Sequence, residues 1–254
     1  MRKQDLLDKL NTSISDCRDC SLYETREKVL KGEGDPDTKI FMVALSPGEQ
    51  EDKIGKMFIG PSGKVLDKLL AEAGVKRKRL YISNLIKCNL PQNRKPKMVE
   101  IESCHQYLDQ ELEIIKPEFI VTLGFYAGRY ILEKFKWDAP SAKNDYHDLY
   151  GRLVYASGQK ILLLPHPASL LYKPEYWQKT QEKYNKLRIL GNECKWYCCC
   201  PMRIYYEAGK LMKRWVELYC HGDWQSCRRF QMEESGQYHP DYMLPDGSLD
   251  EELR

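Results

Sequence analysis

Short apolar runs alternate with helical patterns up to residue 190, and this alternation constrains the fold more than any other feature. Five runs rich in β-branched and aromatic residues predict strands, at 39–45, 80–86, 118–123, 152–156 and 160–164. Apolar residues at helical spacing predict helices at 5–15, 63–73, 98–115, 124–135 and 176–190. Strands that alternate with helices favour an α/β fold, in which helices cover both faces of a central, mostly parallel four-stranded sheet.

Polar residues fall at the ends of three predicted strands. The segment Ser46-Pro47-Gly48 follows the first strand, Asn84 lies near the end of the second, and His166 follows the last. Ligands of open parallel sheets bind at the carboxyl ends of the strands. The sequence therefore predicts a ligand site formed by these three segments.

The composition excludes several classes of protein. Of the 254 residues, 42% are hydrophobic and 30% are charged, which is typical of a globular protein and not of a disordered one. No apolar run approaches the roughly 20 residues that span a bilayer. The N-terminal segment MRKQDLLDKL lacks the apolar core of a signal peptide. We therefore expect a cytoplasmic protein with no membrane partner. The net charge of +3 is compatible with a polyanionic partner but does not require one.

The composition changes at Gly191. The segment 191–254 holds six of the ten cysteines and three of the five tryptophans, and it shows no strand pattern. We therefore predict two units, a domain at 1–190 and a small helical, metal-binding module at 191–254 with one helix at 202–219. Either a second Fe–S cluster or zinc would suit so many thiols. The favoured ligands are Cys200, Cys220 and Cys227 with one more cysteine of the segment, for which we take Cys194 over Cys198 and Cys199.

Four further cysteines precede the boundary. Cys17 and Cys20 form a CxxC motif, and Cys88 and Cys104 follow far downstream. The CxxC follows a predicted helix rather than a strand of a βαβ unit, which disfavours a thioredoxin-like redox pair. Thiols in an intracellular chain stay reduced and more often bind metal. The residues alone leave zinc and an Fe–S cluster open.

Four long motifs resemble those of family 4 uracil-DNA glycosylases, in the same order and at plausible spacing over about residues 12–175. CRDCSLYETREKVLKGEG resembles the family pattern CxxCxLxxTRxxVVxGxG, and SPGEQEDKIGKMFIGPSGKVLDKLL resembles the loop and helix that follow it. YISNLIKCNLPQNRKP and PHPASLL match the family's later motifs. The resemblance implies a monofunctional DNA repair hydrolase that removes uracil and leaves an abasic site. It also implies a monomer, associated with the nucleoid, that acts on single- or double-stranded DNA.

The same resemblance assigns site residues. Cys17, Cys20, Cys88 and Cys104 would ligate one [4Fe–4S] cluster. An enzyme that acts on a base must flip it out, stack it and hydrogen-bond its edge. Phe58 would stack on uracil, Asn84 would pair with its N3–H and O4, and His166 would donate to O2 as the bond breaks. The expected substrate-binding residues are Leu45, Ser46, Phe58, Asn84 and His166.

Two loops are expected to contact the DNA backbone through main-chain amides and small side chains. In the matched motifs these DNA-binding residues are Pro47, Gly48, Ser62 and Gly63. The resemblance also implies that Ala168, Ser169 and Leu170 bind DNA on the minor-groove side, with Leu170 as a wedge between bases.

One position departs from the family pattern. Where the family reads GEAPG, this chain reads Ala44-Leu45-Ser46-Pro47-Gly48, so Leu45 replaces a glutamate. The sequence therefore predicts that Glu51 is the catalytic carboxylate, with Glu49 as a distant second choice, and that Asn84 and His166 are the other catalytic residues. The alternative is a catalytically impaired or base-shifted relative that binds damaged or single-stranded nucleic acid as an Fe–S protein.

Overall fold

The computed structural model describes residues 2–138, 146–190 and 192–254, so the boundary predicted at Gly191 lies outside the described residues. A six-stranded sheet forms the centre of the molecule, with strand order β1-β3-β2-β4-β6-β5. Its strands are β1 (Glu33–Gly34), β2 (Ile40–Ala44), β3 (Tyr81–Asn84), β4 (Phe119–Leu123), β5 (Leu153–Ala156) and β6 (Gln159–Leu164).

The predicted parallel core is confirmed, but the predicted count of four strands is wrong. Strands β3, β2, β4 and β6 run parallel. The antiparallel β1 and β5 extend the two edges of the sheet. The two residues of β1 are exposed and too few to show an alternating pattern. Strand β5 returns into β6 through Ser157 and Gly158, which both have positive φ.

Helices cover both faces of the sheet. Alternate residues of each strand belong to different cores, with Phe41 and Val43 in one and Met42 and Ala44 in the other. The first core is closed by α1 (Lys3–Asp16), α4 (Met98–Ile115) and α5 (Phe125–Lys134). The second is closed by α3 (Pro61–Glu72), α6 (Ser169–Tyr172) and α7 (Trp177–Tyr184), while α2 (Glu49–Ile54) precedes α3.

A buried ion pair lies in the segment that follows β3. Lys87 Nζ donates to Glu111 Oε2 at 2.7 Å and to Ser83 Oγ at 2.6 Å, and both charged side chains are almost fully buried. Glu111 Oε1 also accepts a hydrogen bond from the Gly32 amide at 3.2 Å. Breaking such a pair leaves an uncompensated buried charge, which costs about 3–5 kcal/mol. The pair therefore fixes the segment between Asn84 and Cys88.

The C-terminal segment folds as short helices around its own small core. These are α8 (Pro201–Glu207), α9 (Lys213–Trp215, continued by a π-helical turn over Val216–Cys220) and α10 (Arg228–Glu234). The single helix predicted at 202–219 is wrong, because Gly209 adopts φ 72° after α8 and the chain turns there. The core consists of Met202, Leu211, Val216, Cys220, Leu244 and Leu253.

Ion pairs join this segment to the sheet. The buried Lys160 Nζ lies 2.9 Å from Glu217 Oε2 and donates to the His221 carbonyl at 3.1 Å. Lys186 pairs with Asp223. None of the helices in the described parts of the chain is long and apolar enough to cross a membrane.

Candidate active site

A cavity of about 670 Å³ opens at the carboxyl ends of the parallel strands. Most of the residues predicted to bind substrate or DNA line it, namely Leu45, Ser46, Pro47, Gly48, Glu51, Phe58, Ser62, Asn84, His166, Ala168 and Ser169. Gly63 and Leu170 are the exceptions. The structure thus brings together side chains that are more than 100 residues apart in the sequence.

Phe58 is held at the cavity by its backbone. It has φ 51°, a left-handed conformation that side-chain-bearing residues seldom adopt. Its carbonyl accepts a hydrogen bond from Arg77 Nη1 at 3.0 Å. A Cβ atom at Gly63, in the first turn of α3, would lie 1.9 Å from the Phe58 carbonyl oxygen, so only glycine fits there. Gly63 therefore shapes the cavity by allowing the position of Phe58.

Asn84 places a hydrogen-bonding amide in the floor of the cavity. It is the last residue of β3 and is 3% exposed. Its Nδ2 donates to Met57 Sδ at 3.4 Å, while its Oδ1 finds no hydrogen-bond partner among the described residues. A buried amide oxygen without a partner costs about 1–3 kcal/mol. A ligand that offers an N–H donor would remove that cost.

His166 follows β6 and presents a neutral imidazole. Its Nδ1 accepts a hydrogen bond from the Ala168 amide at 3.1 Å, which leaves the proton of the neutral ring on Nε2. Burial disfavours the imidazolium and lowers the pKa of His166 from 6.5 to about 4. Gly124 has φ 89°, and a Cβ atom there would lie 3.1 Å from the His166 Cβ. Because the ring is neutral and carries its proton on Nε2, His166 is a hydrogen-bond donor at neutral pH.

The two acidic residues of the matched motif differ in their surroundings. Glu51 is buried in the cavity wall, and its Oε1 accepts a hydrogen bond from the Gly60 amide at 2.8 Å. Asp52 instead accepts hydrogen bonds from the Glu27 and Lys28 amides at 3.1 and 3.3 Å. It therefore fixes the N-terminal arm, by which we mean residues 17–32 between α1 and β1. Leu45 lines the cavity beside them.

Leu170 does not lie where the sequence analysis placed it. It is 5% exposed and packs in the core with α3 and α7, so its side chain is not available to contact DNA. The apolar residues that α6 exposes are Leu171, at 45%, and Tyr172, at 82%. These two lie in the sequence between the cavity-lining residues Ser169 and Lys173.

Several cavity residues were missed from the sequence. Phe125 and Tyr126 follow β4, and their place after a parallel strand was the available signal. Tyr176, Lys179 and Lys183 recur at helical spacing and share one face of α7 and its preceding turn. Asn93 and Arg94 lie in the matched motif YISNLIKCNLPQNRKP but were given no role. Nothing in the sequence pattern marks the lining residues His147, Tyr150 and Lys173.

The four N-terminal cysteines line one smaller cavity. Hydrogen-bond donors point at their sulfurs, from Arg26 Nη1 to Cys88 Sγ and from the Lys87 amide to Cys104 Sγ, both at 3.2 Å. Burial raises the pKa of the Cys104 thiol to about 12 and also raises the pKa values of Cys20 and Cys88. Bound cationic iron would offset that cost of forming thiolates.

The described residues contain no group of three or more thiol, imidazole or carboxylate side chains placed to hold a single metal ion. In a [4Fe–4S] cluster each cysteine binds a different iron, so the four sulfurs surround a volume and need not converge on one point. The set Cys17, Cys20, Cys88 and Cys104 supplies the four thiols that such a cluster requires.

Residues 31–188 match the family model of the uracil DNA glycosylase superfamily. The Type-4 uracil-DNA glycosylase of Sulfurisphaera tokodaii is 36% identical over 215 residues, which cover 83% of this chain and 94% of that protein. The Type-4 uracil-DNA glycosylase of Archaeoglobus fulgidus is 33% identical over 181 residues, or 71% of this chain and 91% of that protein. This chain belongs to the uracil-DNA glycosylase superfamily. The predicted resemblance to family 4 is thereby confirmed.

The superfamily match covers the whole cavity from Leu45 to Lys183. It also includes Cys88 and Cys104, while Cys17 and Cys20 precede it. The cysteines beyond residue 190 lie outside it as well.

Proposed function

We propose that this chain hydrolyses the N-glycosidic bond of uracil in DNA and leaves an abasic site. The observation that carries the proposal is the partnerless Oδ1 of Asn84, buried in the floor of a cavity lined by Phe58 and His166. A flipped base needs an aromatic platform, an edge reader and a donor for the leaving group. These three side chains supply the three functions.

The fixed amide favours uracil over cytosine. Uracil offers a donor at N3 and an acceptor at O4, which pair with Asn84 Oδ1 and Nδ2 respectively. Cytosine offers an acceptor at N3 and a donor at N4, and pairing with it would require the opposite orientation of the amide. That orientation would place Oδ1 against the Met57 sulfur, which is itself an acceptor and now receives the Nδ2 hydrogen bond.

His166 and Glu51 act on the breaking bond. The Nε2–H of His166 donates to uracil O2, where negative charge grows as the base departs, and a donor at such a position contributes about 10²–10³ in rate. The buried carboxylate of Glu51 orients the attacking water and stabilises the developing positive charge of the sugar. The catalytic residues assigned in the matched motifs, Glu51, Asn84 and His166, include no lysine nucleophile, so the proposed reaction stops at the abasic site.

DNA, single- or double-stranded, is the proposed partner of the cavity mouth. Main-chain amides of Gly48, Ser62 and Gly63 would contact phosphates, with Pro47 beside them and together with the segment at Ala168 and Ser169. Lys173, Lys179 and Lys183 add positive charge to the cavity wall. Within the proposed domain 1–190, Cys17, Cys20, Cys88 and Cys104 would hold a [4Fe–4S] cluster that joins the N-terminal arm to α4 and the segment after β3.

A second candidate function is a nucleic-acid-binding protein with little or no catalysis, and the observation that favours it is the apolar Leu45 in the cavity wall. One experiment separates the two. Purified protein is incubated with an end-labelled oligonucleotide that contains a single uracil, and alkali then cleaves abasic sites. We expect cleavage at uracil, none at thymine or cytosine, and almost none with Asn84→Ala. Binding of the oligonucleotide without any cleavage would contradict the glycosylase and support the second candidate.

A further inference from the structure

We propose that the C-terminal segment holds a second [4Fe–4S] cluster, ligated by Cys194, Cys200, Cys220 and Cys227. The proposal does not depend on uracil excision, because metal content is measured without substrate. These four cysteines line one cavity of about 160 Å³, enclosed by the loop before α8, the end of α9 and the start of α10.

Burial distinguishes these four cysteines from the other two in the segment. Cys220 and Cys227 are buried, and Cys194 and Cys200 are half-buried. Cys198 and Cys199 are exposed. Cys199 also lines the cavity and Cys198 does not, so exposure is what separates Cys199 from the four. The exposed thiols face nearby carbonyls, with Cys199 Sγ 3.4 Å from the Trp196 oxygen. Burial thus selects one tetrad from six cysteines.

A cluster fits this cavity better than a single zinc ion. Zinc draws four sulfurs to about 2.3 Å from one point. No group of three or more such ligands is placed in that way anywhere in the described parts of the chain. Both cysteine sets share this property, and in both the four cysteines line one cavity. Four separate irons, each bound to one cysteine, are compatible with such an arrangement.

The segment has only a small apolar core of its own. Its core holds few apolar side chains, and it contains no strand of the central sheet. Units of this size usually need a metal or disulfides, because the core alone supplies too little stabilisation. The proposed cluster would join three stretches of chain and hold α9 where Glu217 reaches Lys160 of the sheet.

The test measures iron, acid-labile sulfide and zinc in full-length protein purified without oxygen. We expect wild-type protein to contain twice the iron and sulfide of one four-iron cluster. Cys227→Ser and Cys88→Ser should each retain about half of that iron, and the double variant should retain almost none. Cys198→Ser is the matched control and should keep the full amount. Electron paramagnetic resonance of the reduced protein should show two interacting clusters in wild type and one in each single variant.

Three results would overturn the proposal. They are wild-type protein with the iron of one cluster only, stoichiometric zinc in addition to one cluster, and unchanged iron in Cys227→Ser. If Cys227→Ser does not yield folded protein, the wild-type iron count and the iron retained by Cys88→Ser still decide between one and two clusters.

Discussion

The ring of Phe58 lies 6.1 Å from that of His166, with 31° between the two planes. Phe58 comes from the connection between α2 and α3, and His166 from the end of β6, so the sheet brings the pair together. A base stacked on Phe58 would therefore direct one edge toward the Nε2–H of His166. The pair defines the orientation of the base, and Asn84 reads its opposite edge.

Asn84→Ala should abolish most uracil excision and leave DNA affinity nearly unchanged. The hydrogen bond from Asn84 Nδ2 to uracil O4 strengthens as negative charge grows on the departing base, so its loss appears in the rate more than in binding. We expect the single-turnover rate to fall about 10²–10³-fold. Rapid-quench assays and fluorescence anisotropy measure the two quantities. An equal loss in rate and affinity would instead assign Asn84 to binding alone.

Gly63→Ala should displace Phe58, although Gly63 itself does not line the cavity. The new Cβ atom would meet the Phe58 carbonyl at 1.9 Å, and the backbone must move to relieve the overlap. Overpacking of this kind costs about 1–3 kcal/mol in the free energy of unfolding. Urea denaturation measures that loss, and excision should also weaken. Lys64→Ala, at an exposed position on the same helix, is the control and should change neither quantity.

The parallel part of the sheet could be predicted from the sequence because buried strands such as Phe119–Leu123 are almost wholly apolar. The edge strand Glu33–Gly34 could not, since its two exposed residues gain strand geometry only by pairing with β3. The break at Gly209 was missed because apolar residues continue at helical spacing on both sides of it.

The motif residues of the cavity could also be predicted, because each lies at a strand end or in a matched loop. His147 and Tyr150 could not, since they reach the cavity from a connection whose position only tertiary packing sets. Leu170 illustrates the same limit. Three consecutive apolar residues in α6 give no pattern that says which one turns inward.

Leu170→Ala should lower stability, whereas Tyr172→Ala should leave stability unchanged and weaken DNA binding. Truncation of the buried Leu170 should lower the free energy of unfolding by about 2–5 kcal/mol. Tyr172 is 82% exposed, so its removal should leave the thermal midpoint unchanged and weaken binding to duplex DNA severalfold. Calorimetry and anisotropy measure the two effects. Normal duplex affinity in Tyr172→Ala would exclude that side chain as a DNA contact.

His166 should titrate far below an ordinary histidine. Burial lowers its pKa from 6.5 to about 4, so the unfolded chain binds the proton more readily between these values. The contribution of His166 to the free energy of unfolding is therefore fully present above about pH 6.5, and it is lost as the pH falls through about 4. Histidine-selective NMR should show a ring protonated at Nε2 with a midpoint near 4, assigned by its disappearance in His166→Gln. A midpoint near 6.5 would contradict this account.

Substitutions at Glu51 and Leu45 test whether the Glu51 carboxylate serves catalysis. If Glu51 orients the attacking water, Glu51→Gln should lower the single-turnover rate about 10²–10⁴-fold and leave binding intact. The Gly60 amide can still donate to the amide oxygen of glutamine, which limits structural damage. Leu45→Glu should then do nothing or reduce activity, because it adds a second negative charge to an apolar part of the cavity wall. If Leu45→Glu raises the rate while Glu51→Gln leaves it unchanged, the carboxylate is missing from this chain and Glu51 has not replaced it. Leu45→Gln, of nearly equal size and uncharged, separates the effect of charge from that of shape.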